Sequence, residues 1–264
     1  MSGSERHPSR RLGLLVVHND SVPESEIWRA APPGLEVITG RFALHRAPGQ
    51  EYVGESVEAF LTPAVRRTVA DLVDAGADAL ALCFVSASVF GGSAFDAAFA
   101  EALWESAGVP AFTAGHALRR RLRTLAPAEP LLVAPPWFTD RTVGATASYL
   151  GLPAATRVHR YDLGPAWDTG SRQDLFDRGA KGHIPHRALR EQILAAVTPV
   201  TDAVLIPGSG FRTLDAAAEV ARESGLPVLS ANSAVLEYYH RELLPEGERE
   251  EAQGPQGATG LVTV

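Results

Sequence analysis

The sequence predicts an α/β protein built from two repeated lobes, each a parallel sheet flanked by helices, with its functional site in the cleft between them. Three observations carry this. Short apolar runs without polar alternation recur along the chain, as strands buried on both faces do. Stretches with apolar residues at helical spacing separate them. The order of these elements in the first half of the chain then starts again in the second.

Leu12–Val17 is the first buried strand and Leu35–Ile38 a second, weaker one. From Val57 to Val73 the apolar residues form one helical stripe, ended by Gly76 and started or kinked at Pro63. A strand follows over Ala79–Phe84. Ser93 with Asp96 three residues on predicts a helix start, and that helix runs to Ser106. Val109–Phe112 is a short strand and Ala117–Leu125 a basic helix. The second half opens with a strand at Leu131–Ala134, a helix capped by Asp140 and ending at Leu150, and a strand at Arg157–Asp162. Leu163–Pro185 is long and rich in Gly, Asp and Arg, which predicts a loop lying over a site. Pro185 suits the first turn of a helix to Val197. A strand (Ala203–Ile206), a helix (Thr213–Ser224), a strand (Val228–Ser230) and a helix (Ala234–Leu243) complete the pattern.

The repeat has specific matches. Asp78-Ala-Leu-Ala-Leu82 corresponds to Asp202-Ala-Val-Leu-Ile206, and Leu14–Val17 to Leu131–Ala134. A polar turn follows each member of the first pair, Ser86–Ser88 and Ser209–Gly210. This divides the chain into a flexible start (1–11), lobe one (12–112 plus 229–244), lobe two (113–228) and a disordered polar tail (245–264). In parallel sheets, ligands bind beyond the carboxyl ends of the strands. The turns after Phe84 and Gly208 therefore belong on opposite walls of one cleft.

Composition narrows the function. Of 264 residues 45% are apolar, enough for a filled core, and the net charge of -7 argues against nucleic acid. No run approaches a membrane span and no signal peptide is visible, so no membrane partner is expected. The single cysteine excludes an internal disulfide, and the whole fits a cytoplasmic protein. No phosphate-binding, dinucleotide or serine-nucleophile motif is present. His183 and His186 lack further residues at metal-ligand spacing, so no metal is expected.

Five segments, in order, carry a resemblance to a known family. They are Ser86-Ala-Ser-Val-Phe-Gly-Gly92, Phe112–Leu125, Ala134-Pro-Pro-Trp-Phe-Thr-Asp140, Ile206-Pro-Gly-Ser-Gly-Phe-Arg-Thr-Leu-Asp215 and Ser230-Ala-Asn-Ser-Ala-Val-Leu236. In these the chain resembles the aspartate/glutamate racemase superfamily, in the branch of maleate cis-trans isomerase, arylmalonate decarboxylase and the ectoine-utilisation protein. The resemblance implies two pseudo-twofold-related flavodoxin-like lobes, no cofactor, a small carboxylic acid as substrate, and a homo-oligomer. It also implies two cysteines facing each other across the cleft, one thiolate removing a proton beside a carboxylate and the other thiol returning one.

Here the first cysteine position falls on Phe84, with Val85 and Ser86 where the family has Thr and Ser, and the second falls on Gly208. The family's Pro-Tyr tyrosine is Trp137. Neither Phe84 nor Gly208 can move a proton. The candidate proton carriers are then His18, whose ordinary pKa suits neutral pH, and Cys83, one residue before the expected place. Both also have plain readings, a loop histidine and a packed strand cysteine. Asn19 is similar to the family's carboxylate-binding Asn. With Ser86, Ser209 and Gly210 it would hold carboxylate or enolate oxygens, beside a wall formed by Trp137. These residues imply an isomerase or lyase, of the cis-trans isomerisation or decarboxylation type, acting through an enolate-like state. The alternatives are a divergent enzyme of a specialised pathway, or a small-acid binding protein that has lost catalysis.

Overall fold

The computed structural model describes residues 10–44, 46–47 and 49–244. The expected flexible start and polar tail lie almost wholly outside the described residues. The elements alternate throughout. The first half holds β1 (Arg10–Val17), α1 (Val22–Ala30), β2 (Leu35–Phe42), α2 (Val57–Phe60), α3 (Pro63–Asp74), β3 (Ala79–Leu82), α4 (Val85–Ala107), β4 (Ala111–Thr113) and α5 (Ala114–Leu125). The second holds β5 (Pro130–Ala134), α6 (Asp140–Leu150), β6 (Arg157–Arg160), α7 (Asp174–Asp177), α8 (His186–Ala196), β7 (Ala203–Ile206), α9 (Leu214–Ser224), β8 (Val228–Ser230) and α10 (Ala231–Tyr238).

The strands form two four-stranded parallel sheets, ordered β2-β1-β3-β4 and β6-β5-β7-β8. The second order is the first shifted by four strands, which is the internal repeat made visible. β3 and β7 occupy equivalent places, so Phe84 and Gly208 each lie two residues beyond the end of the equivalent strand.

Alternation along the strands sorts the core into three layers. Leu12, Leu14, Val16, Ala79, Ala81 and Cys83 face one central cluster shared with Leu132, Leu205 and Leu229 of the other sheet and with α5 and α10. Leu15, Val17, Leu80 and Leu82 face the opposite way, against α3 and α4. Leu131, Val133, Val204 and Ile206 do the same in the second lobe. Gly13 is required by close packing within this scheme, since a Cβ there would come within 2.7 Å of the Leu80 side chain.

Two buried carboxylates tie the lobes together. Asp96 of α4 accepts from Ser88 (2.6 Å), Thr113 (2.7 Å) and, across the lobe boundary, Tyr149 of α6 (2.6 Å). Glu26 of α1 accepts from the N–H groups of Thr213 (2.6 Å) and Leu214 (2.8 Å) and from the Asn232 amide (2.7 Å).

Several sequence expectations need correction. Ser86–Ser88 is not a turn: α4 begins at Val85, directly after β3, and Ser86 lies in its first turn. The start expected at Ser93 is a kink instead, where Gly92 takes φ 69° between two helical stretches, and Asp96 serves the buried cluster rather than a cap. The Val57 stripe is broken into α2 and α3, with Thr62 capping α3 ahead of Pro63. Thr139, not Asp140, caps α6, its hydroxyl accepting from the Thr142 N–H. The long loop carries the short helix α7 and two single turns.

Candidate active site

A cleft lies at the carboxyl ends of the strands. Its walls come from the ends of β1 and β3, the start of α4, the loop after β2, the β5–α6 turn, the loop carrying α7, and the Gly208–Gly210 turn. The space open to small molecules is about 100 Å³. One water needs about 10–15 Å³, so a small organic molecule is accommodated.

Seven of the sequence candidates line this cleft together: Phe84, Val85, Ser86, Trp137, Gly208, Ser209 and Gly210. The remaining three do not face it. Cys83 is fully buried in the central cluster, because strand alternation turns it inward where Phe84 turns to the cleft. Burial first, and then the nearby Asp20 carboxylate, pushes its thiol far above the usual range. His18 is exposed at the end of β1, and Asn19 points its amide to Asp177 of the overlying helix α7 at 3.2 Å. The Ser209 hydroxyl donates across the lobes to the Cys83 carbonyl at 3.1 Å. His183 packs against Trp167, and His186 starts α8 beside Glu219, so neither reaches the cleft. Among the described residues no cluster of three or more His, Cys, Asp or Glu could hold a metal ion. No described helix is long and apolar enough to cross a membrane.

Residues outside any motif of the sequence bring charge to the cleft. Asp20 follows Asn19 at the end of β1 and is 3% exposed. Its Oδ1 accepts from the Val22 N–H at 3.0 Å, at the start of α1. Its Oδ2 lies against Gly210, where an added Cβ would come within 2.5 Å of it. Burial pushes its carboxyl up to about 6, against the opposing pull of the Val22 hydrogen bond and the positive charges of Lys181, Arg41 and Arg212. A carboxyl that titrates at about 6 changes charge close to the neutral range, which suits a general acid or base. Glu51, from the loop after β2, reaches across the lobes to Thr139 and Thr142 of α6, the latter at 2.8 Å.

Arg46 also lines the cleft, but both its terminal nitrogens are held by Asp177, at 2.9 and 3.0 Å. Burial would raise the Asp177 carboxyl, yet Arg46, the Gly49 N–H and Asn19 outweigh it and hold the group below its usual range. This latch joins the loop over the site to the first lobe. Tyr52, Phe84, Phe90, Trp137, Phe138 and Phe176 make the rest of the wall aromatic. The signal for Asp20 is positional, a carboxylate at a strand's carboxyl end before a helix. The signal for Arg46, Glu51 and Tyr52 is the unassigned fourteen-residue gap between β2 and α2.

Two parallel lobes with a cleft at their strand ends define the fold class of the aspartate/glutamate racemase superfamily. Solved structures similar to this chain include a decarboxylase and two isomerases. Arylmalonate decarboxylase is 25% identical, with a TM-score of 0.63 over 85% of this chain and 88% of that one. The maleate isomerase Iso from Pseudomonas putida S16 is 20% identical, with a TM-score of 0.65 over 86% and 90%. Maleate cis-trans isomerase from Nocardia farcinica is 21% identical, with a TM-score of 0.66 over 89% and 92%. No protein-family model and no curated protein matches the sequence.

Proposed function

We propose that this protein is an isomerase or lyase that acts on a small carboxylic acid without a cofactor, and that Asp20 carries the proton. The observation that carries this reading is the buried Asp20 carboxyl in the cleft, pushed up to about 6 and set beside the Gly208–Gly210 turn. The resemblance assigns the family's thiol positions to Phe84 and Gly208, neither of which moves a proton, and Cys83 is sealed in the core. Asp20 takes over the thiol's task. As carboxylate it removes a proton from the carbon beside the substrate's acid group, leaving an enolate, and it then returns that proton to another carbon. As the neutral acid it protonates the enolate left when CO2 departs. Ser86 and the N–H groups of the strand-end turns meet the oxygens of that intermediate, and Trp137 and Phe176 exclude water. One such carrier suits isomerisation or decarboxylation and disfavours racemisation, which needs opposed bases.

Proton NMR in D2O tests the reading with a panel of unsaturated, β-keto and malonic acids. The expected result is a shifted double bond, or a monodeuterated product after loss of CO2, abolished in Asp20→Asn and retained in Cys83→Ala and His18→Ala. Full turnover by Asp20→Asn would remove Asp20 from the mechanism. An absence of product and exchange across the panel would favour a binding protein.

A further inference from the structure

The described lining of the cleft carries more negative charge than positive. Two of its walls present carboxylates, Asp20 and Glu51. Among the described residues its one lining cation, Arg46, is engaged on both terminal nitrogens by Asp177. Lys181, close enough to influence Asp20, donates to the Phe176 carbonyl at 3.1 Å and sits over the Phe176 ring.

The two carboxylates occupy related places. Asp20 accepts from the first N–H of α1, the helix after the first strand of lobe one. Glu51 accepts the Thr139 and Thr142 hydroxyls at the start of α6, the helix after the first strand of lobe two. Helix starts attract anions, and here each holds one belonging to the chain itself. Glu51 is thus a resident carboxylate in a corner of the cleft that a substrate's second carboxylate would otherwise take. Tyr52, Phe84, Phe90, Trp137, Phe138 and Phe176 offer an apolar surface in the rest of the described lining.

We infer that Glu51 is a specificity-determining residue that closes the cleft to dicarboxylates, so that the substrate class is a monoacid with a bulky apolar or aromatic body. This rests on the small-acid reading above and narrows it. A second carboxylate entering the cleft beside Glu51 meets a like charge, and Arg46, the cation lining the cleft among the described residues, is already paired with Asp177.

Isothermal titration with phenylacetate and phenylmalonate tests this by binding alone, independently of turnover. The native protein should bind phenylacetate at least about tenfold more tightly than phenylmalonate, the discrimination expected of one uncompensated like-charge contact. Glu51→Gln keeps a side-chain oxygen for the two threonine hydroxyls and removes the charge. It should tighten phenylmalonate about tenfold while leaving phenylacetate within about twofold. The ratio in the native protein stands as a test even if the variant fails to fold. Equal or tighter binding of phenylmalonate by the native protein would overturn the inference, as would an unchanged ratio in a folded variant, and both leave the small-acid reading intact. Failure of both acids to bind either protein would overturn the small-acid reading itself, and this inference with it.

Discussion

Asp20→Asn should stabilise the fold near neutrality while it removes proton transfer, because the native protein holds a carboxylate where burial disfavours charge. The carboxyl rises from 3.8 to about 6 on folding, with burial as the main cause. At about 1.4 kcal/mol per tenfold change in proton affinity, that shift corresponds to about 3 kcal/mol of destabilisation when the group is ionised. Well below 3.8 the carboxyl is neutral in both states and this cost is absent. Between 3.8 and about 6 the unfolded chain gives up the proton first, so stability falls as pH rises, and above about 6 the full cost persists. Asparagine carries no charge, and its Oδ1 can still accept from the Val22 N–H. Urea unfolding of both proteins at about pH 4, 5, 6 and 8 isolates the effect, since every other titrating group cancels in the difference. The variant's advantage should be small at the acid end and grow to about 2–3 kcal/mol at the alkaline end. A difference that does not move with pH, or a variant less stable at the alkaline end, would refute the argument from burial.

Three further outcomes follow from the packing. Tyr149→Phe leaves the buried Asp96 without its donor from the other lobe, and should cost about 1.5–3 kcal/mol in urea unfolding. Gly208→Cys, at the position where the resemblance expects a second cysteine, drives a Cβ to within 2.7 Å of the Pro135 ring and 3.2 Å of Phe211. It should therefore lose about 1–3 kcal/mol of stability, read as a fall in Tm. Cys83, fully buried with its thiol pushed far upward, should not react with an aromatic disulfide reagent in the native protein and should react once urea unfolds it. Rapid labelling of the folded protein would show that the central cluster opens.

The framework of this protein is local information. Buried strands announce themselves as short apolar runs, helices by their spacing, and the two sheets by the repeated order of both, so β1, β3, β5, β7 and β8 were legible from the residues alone. So was much of the cleft wall. Phe84–Ser86, Trp137 and Gly208–Gly210 follow strand ends, and parallel sheets place their sites there. The alternation that aims Phe84 outward and Cys83 inward was likewise readable. The start of α4 was misread because Gly92 and Ser93 imitate a helix start, whereas Gly92 marks a kink within a helix already begun.

What only the tertiary structure decided is how distant residues act on one another. Asp20 is an unremarked loop carboxylate in sequence, and its high pKa comes from the burial that both lobes impose on it. Glu51 meets Thr139 across 88 residues of chain, and Arg46 meets Asp177 across 131. These contacts arise in loops that carry no periodicity, where side-chain identity alone does not say which partner the fold will supply. Strand and helix patterns repeat because backbone geometry repeats. The charge of the cleft depends on long-range packing, and no short stretch of sequence encodes it.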